Sequence, residues 1–378
     1  MTALPPDQAF DAKQILDGIR RWVELETPSE APQQINKLVT IVAEGYRGLP
    51  ATLERVAGTD GRGDHLVVRS NWGQDKPGIL LLSHLDTVHP MGFIQRLPFK
   101  VDGDKAYGPG IYDMKGGAYI AYHAFKQICL NDKTAPLGIT HLFVSDEEVG
   151  SPTSEALITA HGKRARHVLV TEPARDGGKV VTSRKGVGRF DVYIKGVPSH
   201  SGTRPRDGRS AVGELANVIQ TLHAMTDFDK GVTVNVGVVR GGSKPNVVAE
   251  EAHAEVDLRI PTLAAAEEYV QKILNIKPKI DGVSIKVVGG LNRPPYEKSN
   301  AGAALYEHAK QLASELGFDL PDSYTGGGSD GNFTAPYTGT LDGLGVDGDG
   351  AHTGHEHLYV SSIAPRTKLL YRLFQTLT

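Results

Sequence analysis

The sequence predicts an α/β protein in which a mostly parallel sheet, with helices on both faces, is interrupted by an inserted α+β sandwich. Strand-like and helix-like segments alternate in the first part of the chain, longer strands of alternating character follow, and helical periodicity then returns. At 378 residues the chain exceeds the usual size of a single core. We therefore expect one domain formed by residues 1–184 and 296–378 and an inserted domain formed by residues 185–295.

The first domain is predicted from its alternation of elements. Amphipathic helices are expected over 8–26 and 33–47, where apolar residues recur at helical spacing. There follow strands at 66–70 and 78–85, a helix at 115–129, a strand at 139–145, a helix at 152–162 and a strand at 167–171. Strands that alternate with helices are typical of a parallel sheet covered by helices.

The inserted domain has a different pattern. Its predicted strands, at 186–196, 232–242 and 249–260, alternate polar and apolar residues, which indicates an antiparallel sheet with one exposed face. Helices at 207–225 and 263–275 are expected to cover the other face. A helix at 301–316 and a last helix from about Ser362 complete the first domain.

Composition limits the classes of partner. Lys and Arg number 41 against 44 Asp and Glu, the net charge is -3, and no extended basic block could follow a phosphate backbone, so no nucleic acid is expected. Cys129 is the single cysteine, which excludes an intramolecular disulfide and a cysteine-rich metal site. The N-terminal segment does not resemble a signal peptide, and apolar runs such as 78–82 are far shorter than the roughly 20 residues that span a bilayer. We expect a cytoplasmic protein without a membrane partner.

Potential metal ligands follow three of the predicted strands. Ligands bind outside the carboxyl ends of parallel strands, so side chains at these ends can converge although they are distant in sequence. The potential metal ligands are His84 and Asp86 in LLLSHLD, Asp146, Glu147 and Glu148 in LFVSDEE, and Glu172 in VLVTE.

The spacing of these residues suggests separate roles. His84 and Asp86 lie two apart, so in an extended chain Asp86 can accept the second ring proton of a metal-bound His84. A His–Asp pair that caps a turn explains the same spacing. The adjacent acids Glu147 and Glu148 repel each other unless one binds a cation while the other handles protons, although a solvated acidic turn is an alternative.

Two further segments offer ligands. Asp113 lies in the glycine-rich run YGPGIYDMKGG, where its carboxylate could bridge two cations or simply cap the helix that follows. The segment GAHTGHEHLYV contains His352, His355 and His357. Imidazole is a usual zinc ligand, but spacing alone does not choose among these three, and a surface histidine cluster is the alternative.

The motifs SHLDTV, GPGIYDMKGG, SDEEVGS, TEPA, GVPSHSG, GGGSD and AHTGHEH span nearly the whole chain. In order and local context they resemble the di-zinc amidohydrolase and peptidase superfamily of acetylornithine deacetylase, succinyl-diaminopimelate desuccinylase, aminoacylase and the carboxypeptidase G type of glutamate carboxypeptidase. AYGPGIYDMKGG and TGGGSD look closest to the carboxypeptidase G branch, although both recur in its relatives.

The resemblance implies two zinc ions per subunit, which cobalt or manganese can replace. It assigns His84 and Glu172 to one ion, Glu148 and His352 to the other, and Asp113 to both as a bridge. By the same resemblance, Asp86 supports His84 and Glu147 is the general base. A cis peptide bond is expected between Asp113 and Met114. His352 is preferred to His355 because the family pattern is a His followed by three residues and a Glu, here Glu356.

The resemblance also assigns the inserted domain a lid and dimerisation role, which implies a homodimer. His200, in GVPSHSG, is expected to stabilise the oxyanion in the partner's site, and a turn histidine is the alternative. Asn246 and Arg259 match substrate-facing positions of the family. Arg293 matches a substrate-facing arginine of the carboxypeptidase G branch and could instead be a surface arginine.

The expected activity is zinc-dependent hydrolysis of an amide bond that releases a C-terminal amino acid, glutamate, from a small peptidyl or N-acyl substrate. Two arginines suit the carboxylates of such a product. An N-acyl-amino-acid deacylase of the acetylornithine type is the alternative within the same chemistry. A catalytically silent, metal-dependent binding protein is a second alternative, but such a protein has no need of the proton-transfer group Glu147.

Overall fold

The computed structural model describes residues 4–378, which divide into two units. Unit 1 contains the chain up to Ser183 together with Lys298–Tyr324 and Ser329–Thr378, and unit 2 contains Arg184–Glu297 and Thr325–Gly328. The short segment Thr325–Gly328 was expected in the first domain, because nothing in its sequence distinguishes it from the residues around it. No helix within residues 4–378 combines the length and the apolar character that a membrane crossing requires.

Every predicted helix and strand is present among residues 4–378 with the predicted type and order, whereas nine further strands and one short helix were not predicted. The α-helices are α1 (Ala12–Val23), α2 (Pro32–Gly45), α3 (Gly116–Gln127), α4 (Glu155–Arg164), α5 (Ala211–His223), α6 (Leu263–Leu274), α7 (Asn300–Glu315), α8 (Gly331–Thr334) and α9 (Val360–Thr376). The strands are β1 (Ala51–Val56), β2 (His65–Ser70), β3 (Ile79–His84), β4 (Lys100–Asp102), β5 (Lys105–Tyr107), β6 (Ile139–Val144), β7 (His167–Val170), β8 (Val180–Arg184), β9 (Gly186–Lys195), β10 (Thr233–Gly241), β11 (Glu251–Ile260), β12 (Ser284–Arg293), β13 (Asp322–Thr325), β14 (Thr340–Leu341), β15 (Gly348–Asp349) and β16 (His357–Tyr359).

Polar side chains define where several helices begin. Asp11, Ser210, Thr262 and Ser299 precede α1, α5, α6 and α7, and the side chain of each accepts a hydrogen bond from the backbone N–H three residues later. Such caps satisfy N–H groups that have no partner within the helix.

The main sheet of unit 1 has the strand order β1-β2-β6-β3-β7-β14. Neighbours among β6, β3, β7 and β14 run parallel, whereas β2 runs antiparallel to both β1 and β6. All six residues of β3 are buried, as a central parallel strand covered on both faces requires. The predicted mostly parallel sheet is thus confirmed, with β2 as its reversed strand.

Alternate residues of β3 enter two separate hydrophobic clusters. Ile79 and Leu81 belong to the larger cluster, which also contains apolar residues of α1, α2, α3, α7 and α9. Leu80 and Leu82 belong to a smaller cluster with Ile158 of α4. Because successive side chains of a strand point to opposite faces, helices cover both faces of the sheet, as predicted.

Unit 2 contains a four-stranded antiparallel sheet of order β10-β11-β9-β12, with α5 and α6 packed against it. Three of these strands are predicted from the sequence, and β12 is not. Gly289 and Gly290 interrupt the alternating pattern in the middle of β12, and Gly289 has a φ of 122°, which a residue with a side chain rarely adopts.

Helix α3 approaches the sheet closely at Gly117, and this contact can be tested. A Cβ atom added at Gly117 would overlap the backbone carbonyl oxygen of Thr171, which follows β7. We expect Gly117→Ala to lower the free energy of unfolding by about 1–3 kcal/mol, because neither backbone can move cheaply. Urea unfolding of Gly354→Ala is the control, since no heavy atom lies within 4 Å of an added Cβ there. Equal stability of the two variants would contradict this account of the packing.

Candidate metal centre

Asp113 lies between two groups of potential metal ligands in unit 1. Its Oδ1 is 3.2 Å from His84 Nε2, and its Oδ2 is 3.3 Å from His352 Nε2. His84 Nε2 also lies 3.7 Å from Glu172 Oε1, and His352 Nε2 lies 3.2 Å from Glu148 Oε2. In each three-residue group the ligand atoms are within 4.8 Å of one another. The structure therefore brings together the five predicted ligands, with Asp113 shared.

The strand order explains how three of these residues meet. His84 ends β3, Glu148 follows β6 and Glu172 follows β7, and β3 lies between β6 and β7 in the sheet. The other two come from turns. Asp113 lies in a turn before α3 that contains the expected cis peptide bond to Met114, and His352 has a left-handed backbone with φ of 64°.

The buried carboxylate of Glu356 holds the Asp113 turn. Glu356 Oε1 accepts hydrogen bonds from the backbone N–H groups of Tyr112 and Asp113, both at 3.0 Å. Its Oε2 accepts from Gly110 N at 2.9 Å and lies 2.7 Å from His89 Nε2. Charge-assisted bonds to several backbone donors fix the orientation of a loop. In the sequence, Glu356 only distinguishes His352 from His355 by its spacing, and its contact with the Asp113 turn is not predicted.

Asp86 contacts His84 in an unexpected way. The backbone carbonyl of Asp86 lies 3.0 Å from His84 Nδ1, and its carboxylate is farther away at 3.5 Å. The carboxylate instead accepts hydrogen bonds from Glu147 N at 3.1 Å, Glu148 N at 3.2 Å and Ser29 Oγ at 2.7 Å. Burial raises the pKa of Asp86, but His84, Ser29 and the backbone N–H of Glu148 bring it below its ordinary value. Asp86 thus orients His84 through its carbonyl and holds the Glu147–Glu148 turn through its carboxylate.

The electrostatics of the centre favour added positive charge. Burial lowers the pKa of His84, but the neighbouring carboxylates raise it well above its usual range. Asp113 and Glu148 raise the pKa of His352 to about 11. Burial raises the pKa of Glu148, whose Oε1 is buried without a hydrogen-bond partner within the described part of the chain. Imidazole nitrogens and carboxylate oxygens are zinc ligands, so these residues fit two divalent cations that share Asp113.

A buried hydrogen-bond chain connects the strands near the centre. Tyr46 Oη lies 2.8 Å from His141 Nδ1, His141 Nε2 lies 2.8 Å from Ser83 Oγ, and Ser83 Oγ lies 2.7 Å from Thr171 Oγ1. Burial lowers the pKa of His141 to about 3, so its ring is neutral at physiological pH. Ser83 and Thr171 each directly precede a ligand candidate, and the chain therefore links the ends of β3 and β7.

Within unit 2, His200 and Asn246 lie on neighbouring segments, because Ser201 N donates to the backbone oxygen of Asn246 at 3.0 Å. His200 is exposed, and its Nδ1 accepts hydrogen bonds from Gly202 N and Thr203 N, both at 3.2 Å. A neutral imidazole that accepts at Nδ1 carries its proton on Nε2. His200 can therefore act as a hydrogen-bond donor through Nε2.

The two predicted substrate arginines lie against the glycine-rich segment of unit 2. Arg259 donates to Asp257 Oδ1 at 2.8 Å and to Gly326 O at 3.5 Å. Arg293 is only 3% exposed, so the alternative of a surface arginine is wrong, and a Cβ at Gly328 would lie 2.8 Å from its Cδ. The buried Arg184, which no sequence motif singles out, donates to the carbonyl groups of Gly327 and Gly328.

The two remaining histidines of the C-terminal segment lie outside both ligand groups. His355 is exposed, and its Nδ1 lies 3.1 Å from Thr353 Oγ1. His357 is buried in β16, with its ring centroid 5.3 Å from that of Tyr107. Of the three histidines that spacing left open, His352 is the one that the structure places beside Asp113.

A mostly parallel sheet with carboxylate and imidazole groups gathered at its strand ends defines a protein of the metallohydrolase class. The chain belongs to peptidase family M20/M25/M40, whose family model matches residues 80–376. It is 31% identical to carboxypeptidase G2 of Pseudomonas sp. (strain RS-16), over 83% of this chain and 77% of that enzyme. It is 24% identical to succinyl-diaminopimelate desuccinylase of Delftia acidovorans, over 93% of this chain and 96% of that enzyme. The crystal structure of a tripeptidase from Staphylococcus aureus has the same fold, with a TM-score of 0.78, 20% identity and coverage of 97% and 98%. The relationship predicted from the motifs is confirmed.

Metal binding should release protons. His352 is protonated at pH 7 because its pKa is about 11 in the metal-free protein, and its nitrogen must lose this proton before it can bind a cation. The apparent affinity for Zn²⁺ should therefore increase about tenfold per pH unit for each such histidine between pH 6 and 8. Calorimetric titration in buffers of different ionisation enthalpy measures the proton release. His352→Gln should lose one of two binding events and His355→Gln neither; a pH-independent affinity would contradict this account.

The role of Glu356 can be tested with a substitution of equal size. In Glu356→Gln an amide NH₂ faces either backbone N–H groups or His89, so Asp113 should lose its fixed orientation. We expect the affinity for Zn²⁺ to fall about 10–100-fold, as it does when groups that orient metal ligands are lost. Glu44→Gln, at an exposed position of α2, is the control. Unchanged affinity in Glu356→Gln would show that the turn needs no such support.

Proposed function

We propose that this protein is a zinc-dependent hydrolase that releases a C-terminal amino acid, glutamate, from small peptidyl or N-acyl substrates. The observation that carries the proposal is the carboxylate of Asp113, shared between two ligand groups, with Glu147 beside one of them. Similarity to carboxypeptidase G2 over 77% of that enzyme supports the choice of a carboxypeptidase.

In this proposal His84, Asp113 and Glu172 hold one zinc ion, and Asp113, Glu148 and His352 hold the other. Cobalt or manganese can replace zinc, because the ligands are imidazole nitrogens and carboxylate oxygens. When bound, two such cations lower the pKa of a water molecule and polarise the carbonyl group of the scissile amide.

Glu147 is the proposed general base. Its backbone N–H donates to Asp86 at 3.1 Å, which fixes the turn that presents it next to Glu148. The Glu147 carboxylate takes a proton from the water molecule that attacks the carbonyl carbon. It then gives this proton to the nitrogen of the leaving amine as the C–N bond breaks. The carboxylate is regenerated and the products are an acid and a free amino acid.

We propose substrate-binding roles for four residues of unit 2. We propose that His200 donates a hydrogen bond from Nε2 to the oxyanion in the partner subunit's site of a homodimer. The hydrogen bonds that its Nδ1 accepts support this, because they leave the ring proton on Nε2. Asn246 is proposed to contact the substrate from the neighbouring segment. Arg259 and Arg293 would bind the two carboxylates of the glutamate product, because a guanidinium group suits bidentate contact with a carboxylate.

An N-acyl-amino-acid deacylase is the second candidate. The match to succinyl-diaminopimelate desuccinylase covers 96% of that enzyme, and removal of an acyl group breaks the same type of bond. The two candidates differ in which part of the substrate is recognised. A carboxypeptidase of this type requires the glutamate, whereas a deacylase requires a particular acyl group.

The proposed base can be separated from the metal ligands by substitution. Glu147→Gln should lower kcat by about 10²–10⁴-fold, because general base catalysis contributes a factor of this size. Its zinc content should equal that of the wild type, since Glu147 belongs to neither ligand group. Glu155→Gln, an exposed acid of α4, is the matched control and should keep full activity. A Glu147→Gln enzyme with wild-type kcat would exclude this residue as the base.

The substrate assignment is tested by a hydrolysis screen on protein of measured zinc content. Aminoacyl-glutamates, aryl-acyl glutamates, matched substrates with a neutral C-terminal residue and N-acetyl amino acids are compared by kcat/KM. We expect the glutamates to exceed the neutral analogues by about 10-fold or more, since the neutral analogues lack the side-chain carboxylate that a guanidinium group would contact. A clear preference for N-acetyl amino acids would replace the carboxypeptidase assignment by the deacylase one.

A further inference from the structure

The turn that follows β6 carries both Glu147 and Glu148 and ends in an uncommon backbone conformation. Gly150 has a φ of 96° and Ser151 a φ of 58°, and Ser151 N donates to Asp146 O at 2.8 Å, which closes the turn. A left-handed backbone at a residue with a side chain costs free energy and persists only where surrounding contacts hold it. The contacts of Ser151 therefore influence where the two glutamates lie.

The side chain of Ser151 reaches a distant part of the chain. Its Oγ donates a hydrogen bond to Asp330 Oδ1 at 2.5 Å, across 179 residues of sequence. Ser151 is 0% and Asp330 3% exposed, so bulk water does not compete for this bond. A hydrogen bond is electrostatically stronger in the interior of a protein than in water. The bond thus ties the end of the Glu147–Glu148 turn to Asp330.

Asp330 is itself firmly held. The preceding Ser329 is buried, its Oγ donates to Asp342 Oδ2 at 2.5 Å, and its backbone N–H donates to Asn332 Oδ1 at 2.9 Å. Phe333 N donates to the backbone oxygen of Asp330 at 3.1 Å, and the Phe333 ring belongs to the smaller hydrophobic cluster, which also contains residues of β3. Asp330 therefore offers the turn an attachment point that is fixed to the sheet.

The bond to Asp330 and the contacts of Asp86 hold opposite ends of the turn. The Asp86 carboxylate accepts hydrogen bonds from the backbone N–H groups of Glu147 and Glu148 at the start of the turn. Ser151 lies at its end, three residues after Glu148. A segment fixed only at its start can rotate about that point, whereas a segment fixed at both ends keeps its side chains in one orientation. Asp330 therefore completes the support that Asp86 provides.

We propose that Asp330 is a positioning residue for Glu147 and Glu148 and acts on both through the hydroxyl group of Ser151. The inference rests on the proposed function, in which Glu147 is the base and Glu148 a zinc ligand. Asp330 belongs to neither ligand group and acts only by keeping the turn in place. Its loss would misplace the base rather than remove a substrate contact, so kcat should fall while KM changes little.

The test removes either end of the bond and measures kinetics at saturating zinc. We expect Asp330→Ala and Ser151→Ala each to lower kcat about 10–100-fold, with KM within about 3-fold of the wild type, and to weaken one of the two zinc-binding events about 10-fold. Asp330→Asn keeps a side-chain oxygen that can accept from Ser151 and should recover most of the loss. Ser151→Ala keeps the proposal testable if Asp330→Ala does not fold.

Two further variants separate a positioning role from a general loss of stability. Thr182→Val removes another buried hydroxyl group, which donates to Asp322 Oδ2 at 2.6 Å, and should lower stability to a similar extent with kcat unchanged. Ser151→Gly accepts the left-handed backbone freely but lacks the hydroxyl group, so its kcat should stay as low as that of Ser151→Ala. Recovery of kcat in Ser151→Gly, an equal loss in Thr182→Val, or wild-type kcat in Asp330→Ala would each overturn the proposal.

Hydrogen–deuterium exchange of the metal-free protein separates this inference from the proposed function. We expect the backbone amides of residues 146–151 to exchange at least about 10-fold faster in Asp330→Ala and Ser151→Ala than in the wild type, and at the wild-type rate in Thr182→Val. If no substrate is hydrolysed, the proposed function fails, whereas faster exchange would still support the link between Asp330 and the turn. Unchanged exchange in both variants of the bond would overturn it.

Discussion

The candidate centre depends on the position of one carboxylate. Asp113 directs Oδ1 to His84 and Oδ2 to His352, so a small displacement of this side chain would disrupt both ligand groups together. The carboxylate of Glu356 prevents such a displacement by accepting hydrogen bonds from three backbone N–H groups of the Asp113 turn. A carboxyl group with only 1% exposure is tolerated because these donors and His89 satisfy its oxygen atoms. The buried carboxyl group of Glu356 therefore fixes the orientation of Asp113.

The hydrophobic core and the centre are not independent. The apolar residues of β3 place His84 between the ends of β6 and β7, and a polar chain through His141, Ser83 and Thr171 connects the same strands. His141 has hydrogen-bond partners at both ring nitrogens, which makes a neutral, fully buried imidazole acceptable within the sheet. Buried polar networks of this kind favour one arrangement of the strands over others. The polar chain and the apolar residues of β3 therefore both stabilise the register that aligns the strand ends.

The sequence was sufficient to predict those elements and ligand residues that a local pattern determines. Hydrophobic periodicity located the parallel strands β3, β6 and β7 but not the short β14, and the strand-end rule brought His84, Glu148 and Glu172 together. The sequence was insufficient to predict contacts between residues that lie far apart along the chain. Glu356 is 243 residues from Asp113, and no local pattern predicts their contact. The burial of Arg293 and the contact of Asp86 with the Glu147 turn likewise depend on segments distant in sequence. The motif resemblance supplied the choice of His352, which spacing alone had left open.

The charges of the proposed centre explain why the acid beside Glu148 suits proton transfer rather than metal binding. Two divalent cations carry four positive charges, and the three ligand carboxylates of the two groups cancel three of them. The remaining positive charge would favour the ionised form of Glu147 over its protonated form. Transfer of the water proton to Glu147 would leave the net charge of the centre unchanged and would move the negative charge from Glu147 to the oxygen that attacks the carbonyl carbon. If Glu147 were a sixth metal ligand, its carboxylate would stay bound to the cations throughout the reaction and could not accept the proton.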